Sequence, residues 1–164
     1  MVAVSRFGLQ TGDADWVSVG DPVMGGRSTG AVEPLDAVTS VFQGEVSLDN
    51  GGGFASVKCD IPTLDLSRFE GLMLEARGDG KRYKLGLRMT WDRNAPVYQQ
   101  AFATEADVWD HIVLPFSGFV ASFRGRTLPD APALDPAHVA SLSLFISGKQ
   151  AGPFALALHG IEAY

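Results

Sequence analysis

The stretch GLMLEARGDGKRYKLGLRM, from Gly71 to Met89, decides the fold. Leu72, Leu74 and Ala76 alternate with Met73, Glu75 and Arg77; after the break, Tyr83, Leu85, Leu87 and Met89 alternate with Lys84, Gly86 and Arg88. Side chains in a strand repeat every two residues, so each run reads as a strand with one apolar face. Between them GDGK, Gly78 to Lys81, carries turn chemistry. The pair predicts a hairpin, or a near neighbour of one.

The same alternation extends outward. In GFASVKCDI, Ala55, Val57, Cys59 and Ile61 alternate with Phe54, Ser56, Lys58 and Asp60. WDHIVLP (109–115), SLSLFIS (141–147) and PFALALHGI (153–161) read as further strands, and AVTSVFQGEVSL (37–48) as one or two more. Helical periodicity is confined to single turns at LDLSRF (64–69) and LDPAHV (134–139), where Asp65 and Asp135 are placed to cap. FRGRTLPDAPALDP (123–136) reads as a long surface loop. About eight or more short strands joined by turns predict an all-β antiparallel β-sandwich, a jelly roll. Leu72, Leu74, Leu85, Leu87, Leu142, Leu144, Leu156 and Leu158 are the expected core.

Composition bounds the function. The chain has 164 residues, 46% hydrophobic and 20% charged, which predicts one globular domain over 1–164. A net charge of -6 argues against a nucleic-acid partner, because a phosphate-binding surface makes a chain basic. No apolar run approaches the roughly 20 residues that span a bilayer, and MVAVSRFGLQTGDADW has neither a signal-peptide nor a transit-peptide composition. The expectation is a soluble, cytoplasmic protein. The single Cys59 reads as a buried structural thiol, and His111, His138 and His159 are too scattered in sequence for a ligand motif. No metal and no cofactor are expected.

In WVSVGDPVMGGRSTG (16–30), Pro22 and the Gly25–Gly26 pair force a sharp turn with Met24 near its tip. Gly20 and Gly25 have P-loop spacing, but Gly26 and Arg27 stand where a phosphate loop needs Lys-Ser or Lys-Thr, so this is no nucleotide site. Gly51, Gly52 and Gly53 read as a turn before a strand. With no nucleophile elbow, metal set or cofactor loop in sight, a non-catalytic protein is expected. The most informative charge feature is RGDGKRYKLGLR (77–88), where Arg77, Lys81, Arg82, Lys84 and Arg88 are offset only by Asp79; Arg124 and Arg126 follow in FRGR. Lys84 and Arg88 share one strand face. Such a cluster is either a solvated face paired with residues such as Glu75 or a patch for carboxylates, sugars or an acidic partner surface. The RGD triplet reads as turn chemistry.

Taken in order, DPVMGGRS, FQGEVSLDNGGGFASV, GLMLEARGDGKRYKLGLR, WDRNAPVYQQAF, LPFSGFVASFRGR and KQAGPFALALHGIEAY resemble the complex I intermediate-associated protein 30 family, from Trp16 to Tyr164. The resemblance implies a galactose-binding-domain-like jelly roll. It also implies a non-enzymatic protein-binding role, since mitochondrial members look like chaperones that hold an intermediate of respiratory complex I during its assembly. This chain departs from the pattern at Gly20, where members often carry Asn before Asp21, and looks like a bacterial relative without a transit peptide.

On this reading the partner is a protein client, a complex I subunit or assembly intermediate. The candidate binding surface joins the loop Asp21, Met24, Gly25, Gly26, Arg27 and Ser28, the turn Asn50 to Phe54, and the basic segment around Arg77 to Arg82, which includes Asp79, with Arg124 and Arg126. Arginines would pair with client carboxylates while Met24, Phe54 and Tyr83 cover apolar client surface. The alternative is a carbohydrate-binding module, with Trp91, Tyr98, Gln99 and Gln100 as its platform. A third reading is a hydrolase whose carboxylates come from distant strands.

Overall fold

A computed structural model describes residues 2–8, 16–19, 28–49, 53–92 and 94–164. Among the described residues thirteen strands form two antiparallel sheets. The six-stranded sheet runs β3 (Thr29–Pro34), β4 (Ser40–Val46), β13 (Gly152–Ala163), β6 (Gly71–Arg77), β9 (Trp109–Pro115), with β1 (Val2–Arg6) also on β13. The seven-stranded sheet runs β11 (Arg126–Thr127), β10 (Val120–Phe123), β8 (Val97–Ala103), β7 (Arg82–Arg88), β12 (Val139–Ile146), β5 (Ala55–Leu64), β2 (Val17–Val19). This is the expected all-β sandwich.

The expected leucines are its core: Leu72, Leu74, Leu85, Leu87, Leu142, Leu144, Leu156 and Leu158 are all 0% exposed. Register explains why they meet. Leu85 stands opposite Leu144 and Leu87 opposite Leu142, so the two central strands of one sheet present a continuous apolar row to the other. Phe42, Tyr83 and Phe154 fill the end of the sandwich with edge-on ring contacts at 5.0 to 6.4 Å between centroids. Cys59 is buried, as its strand face predicts.

The Gly71–Met89 stretch is not a hairpin. Its two strands lie in different sheets, and GDGK carries the chain across the end of the sandwich. The cause is Asp79, whose Oδ2 accepts from the Ala155 amide of β13 at 2.9 Å while its Oδ1 accepts from the Lys81 amide and the Tyr83 hydroxyl. The last residue of β6, Arg77, pairs with Ala157, so the carboxylate supplies the next partner that β13 would otherwise lack. Alternation alone is blind to such a crossing.

The predicted helical turns are each one hydrogen-bonded turn: the Phe69 amide donates to Leu66 O and the His138 amide to Asp135 O. Asp65 and Asp135 Oδ1 accept from the amides two residues on, the local bond that Asp makes at turns. Within the expected loop 123–136, β11 adds an edge strand that a two-residue turn places on β10. A short 3-10 turn at Phe116–Gly118 and the strand β3 had no periodic signal.

Because Leu85 is fully enclosed, Leu85→Ala is expected to destabilise the fold by about 2–5 kcal/mol in chemical denaturation. Val113→Ala, at a 56% exposed position on β9, is expected to change stability by less than about 0.5 kcal/mol.

Candidate functional site

The outward side of the seven-stranded sheet carries the site. Where β7 and β12 turn their leucines inward, alternation turns Lys84, Gly86 and Arg88 outward beside Ser141, Ser143 and Phe145. Pairing with β5 adds Ser56, Lys58 and Asp60 to the same face, and pairing with β8 adds Gln99 beside Gly86. Gly86 is required here. A Cβ on it would stand 2.7 Å from Val97 Cγ2 and 2.8 Å from Phe145 Cε2, so its absence lets these side chains close over the strand.

Above this floor lies a groove of about 1010 Å³. Phe54 and Lys149 line it from one pair of loops, and Phe123 and Arg124 from the β10–β11 turn. Lys58, Lys84, Arg88, Arg124 and Lys149 give it five cations, and among the described residues no Asp or Glu lines it. Arg88 is half buried. Its Nη1 donates to Ser143 Oγ at 3.0 Å, while its Nε is buried with no partner among the described residues. Burial pulls the guanidinium below its ordinary pKa, with the charge of Asp60 acting in the opposite sense; it remains a cation at neutral pH. Among the described residues only Lys58 of these cations has an acidic partner in salt-bridge range, Asp60 at 3.2 Å.

The sequence-based candidates do not form one surface. Phe54 and Arg124 line the groove. Ser28 is 0% exposed and spends its hydroxyl on the Ser47 backbone. Tyr83 is 1% exposed, in the core, and cannot cover a client. Asp79 is held by the crossing it makes. Arg77 lies on the outward side of the other sheet, 5.4 Å over the Trp109 ring. Arg82 is exposed at the start of β7, its backbone clasped by the Gln150 amide, and Arg126 is exposed on the edge strand β11. Asp21, Met24, Gly25, Gly26, Arg27 and Asn50 lie outside the described residues.

Of the sugar platform, only Gln99 reaches the groove. Tyr98 is buried with its hydroxyl on Pro132 O, Gln100 turns its Oε1 into the protein, and Trp91 donates to Ile61 O. Lys58, Phe145 and Lys149 were missed as site residues. The signal for the first two was present in the parity of SLSLFIS and SVKCD; that of Lys149 was not, since it depends on loop placement.

A shallower hollow of about 750 Å³ opens on the six-stranded side. Its polar groups are engaged with one another: Gln43 Nε2 donates to Glu33 Oε2, and Lys81 Nζ to Pro153 O. On the outward face of that sheet, two histidines far apart in sequence meet at Glu75. His159 Nδ1 lies 3.0 Å from Glu75 Oε1 and stacks on Trp109 at 3.8 Å, and His111 Nε2 is 3.9 Å from Glu75 Oε2. Among the described residues no group of three or more His, Cys, Asp or Glu is arranged to hold a metal ion. No helix there is long and apolar enough to cross a membrane.

The architecture, a sandwich of two antiparallel sheets, is a fold shared with carbohydrate-binding modules. The chain is similar to the family 11 carbohydrate-binding module of the cellulosomal cellulase Lic26A-Cel5E of Clostridium thermocellum, with a TM-score of 0.66 at 16% identity, covering 96% of both chains. It is also similar to a Clostridium thermocellum family 11 module in complex with a β-1,3-1,4-mixed-linked tetrasaccharide, with a TM-score of 0.65 at 16% identity over 98% of this chain and 97% of that one. At this identity the likeness is one of fold.

The sequence profile of the complex I intermediate-associated protein 30 family matches residues 5–158, and the chain belongs to that family. It is 28% identical to an uncharacterized protein of Schizosaccharomyces pombe, over 92% of this chain and 78% of the relative. It is 24% identical to the mitochondrial complex I intermediate-associated protein 30 of Mus musculus, over 91% of this chain and 52% of the relative, so it spans about half the length of that protein.

Two substitutions test the structural role assigned to the crossing. Asp79→Ala strands three donors and is expected to cost roughly 2–3 kcal/mol, whereas Tyr83→Phe removes one donor and is expected to cost about 1 kcal/mol. Burial, followed by the Asp79 charge, pushes the Tyr83 phenol well above its ordinary value of 10.0. Below that value the phenol is protonated in both folded and unfolded chains, and its contribution is complete. Above it the unfolded chain ionises more readily, so stability is expected to fall with rising pH, and less steeply in Tyr83→Phe, in equilibrium unfolding measured on the alkaline side.

Proposed function

We propose that the chain is a non-catalytic protein-binding module acting in the assembly of respiratory complex I or a related client, and that the groove on the seven-stranded sheet is its client face. The family match over residues 5–158 carries this reading, because the relatives it brings include proteins named for association with complex I intermediates. The groove's chemistry supports it. No Asp, Glu or His among the described residues lines it, so no serine there has the His–carboxylate arrangement of a nucleophilic triad. What it offers is contact: cations and phenylalanines over a rigid sheet, the mix of charge and aromatic surface by which proteins recognise one another. Such a module works in the compartment where its client is assembled, which for this chain is taken as the cytoplasm.

The carbohydrate-binding alternative rests on fold likeness and on Gln99 and Asn94 in the groove. A sugar site also needs a flat aromatic platform; of the two rings expected to form one, Tyr98 is buried and the exposed Trp91 does not line the groove.

In the organism of origin, deleting the gene is expected to lower the amount of assembled complex I seen by native gels with in-gel NADH oxidation. The wild-type gene is expected to restore it, and Lys84→Glu is not. Unchanged complex I after deletion, combined with binding to a neutral oligosaccharide array, would replace this reading by the carbohydrate one.

A further inference from the structure

We infer that the groove takes an extended acidic segment of a protein partner, its carboxylates set against Lys84, Arg124 and Lys149 and its apolar side chains against Phe54, Phe123 and Phe145. The inference rests on the protein-binding reading above and names the chemistry of the partner.

Charge distribution is the first support. Of the protein's 13 basic residues five line this groove, while none of its 19 acidic residues does so among the described ones. A chain with a net charge of -6 that gathers cations in one place presents a local field opposite to its overall sign. Most of these cations also lack an acidic partner, although Lys58 is paired with Asp60 and Arg124 lies 5.2 Å over the Phe123 ring. Among the described residues Lys84, Arg88, Arg124 and Lys149 have no carboxylate within salt-bridge distance, and Arg88 holds its charge half buried with only a serine hydroxyl as partner. A half-buried cation attracts an anion more strongly than an exposed one, since screening by solvent is weaker.

Backbone conformation is the second support. Arg124 and Lys149 have φ of 49° and 57°, in the left-handed region where Asn or Gly is favoured, and each adjoins a glycine in the same region. Two rim positions that local preference would give to Asn or Gly therefore hold long cations instead. Turn chemistry does not explain those side chains; a ligand for them does.

Shape sets the length. The lining runs from β2 across β5, β12 and β7 to β8 and the β10 turn, about five strand spacings or roughly 24 Å, which matches an extended chain of about seven residues. Three phenylalanines within the lining favour a segment that mixes acidic with apolar residues over a uniformly hydrophilic acidic polysaccharide.

The test uses the purified chain and three fluorescein-labelled probes: a peptide alternating Glu and Leu, its Lys-and-Leu counterpart, and oligogalacturonate. Fluorescence anisotropy is expected to show binding of the Glu peptide, weakened by salt, and none of the other two. The triple variant Lys84→Ala, Arg124→Ala, Lys149→Ala is expected to melt like the wild type and to bind the Glu peptide at least about tenfold more weakly. Equal binding by wild type and triple variant, or no binding by the wild type, overturns the inference. Binding of oligogalacturonate in place of the Glu peptide also overturns it, in favour of an anionic saccharide. A triple variant that restores complex I fully in the deletion strain would sink this inference while leaving the assembly role standing; a deletion that leaves complex I unchanged would sink the assembly role whatever the peptides do.

Discussion

The facing of Leu85 and Leu87 on Leu144 and Leu142 is the constraint on which the rest of the structure depends. These residues can be buried only if both central strands hold one register, because a slip of a single residue would turn every leucine to solvent. Once that register is set, the outward residues have no freedom of their own. Lys84, Gly86, Arg88, Ser143 and Phe145 stand together because their neighbours are needed inside. The floor of the groove is thus the complement of the core, built on the sheet with loops supplying its rim, and Gly86 provides the room in which Phe145 and Val97 pack.

A second constraint places the RGDG segment. Asp79 accepts three hydrogen bonds at the point where the chain leaves one sheet for the other, and Tyr83 anchors its hydroxyl there while its ring stacks on Phe102 with centroids 6.1 Å apart. A carboxylate so engaged serves as a joint and is withdrawn from recognition. Its position also separates the basic cluster of the sequence into two: Arg77 stays with the six-stranded sheet, packed on Trp109, and Lys84 and Arg88 go to the other. Arginine and lysine positions that are neighbours in sequence thereby end on opposite sides of the sandwich.

This is also why the fold was more legible than the site. Strand identity and the buried face follow from alternation, a local property, and all of the leucines named from it are enclosed. Sheet membership is non-local, so the crossing at Asp79 looked like a hairpin. The site is harder still, because it is assembled across strands: Lys58, Arg88 and Phe145 come from three of them and meet only through register. The shared face of Lys84 and Arg88 was legible from parity alone. Tyr83 misled, because a tyrosine beside a charged turn reads as surface until the carboxylate that fixes its hydroxyl is seen.

The two outward faces of the sandwich differ in a way that bears on function. On the six-stranded sheet Glu75, His111, His159, Trp109 and Arg77 contact one another, whereas among the described residues the cations of the groove lack acidic partners beyond Asp60. A face whose charges remain open is the one suited to a partner. Hydroxyl-radical footprinting of the chain alone and with its bound client tests this most directly, since aromatic and methionine side chains report contact one by one. The account predicts that Phe54, Phe123 and Phe145 lose reactivity on binding while Trp109 and Met73 keep theirs; loss at Trp109 and Met73 with the three phenylalanines unchanged would contradict it.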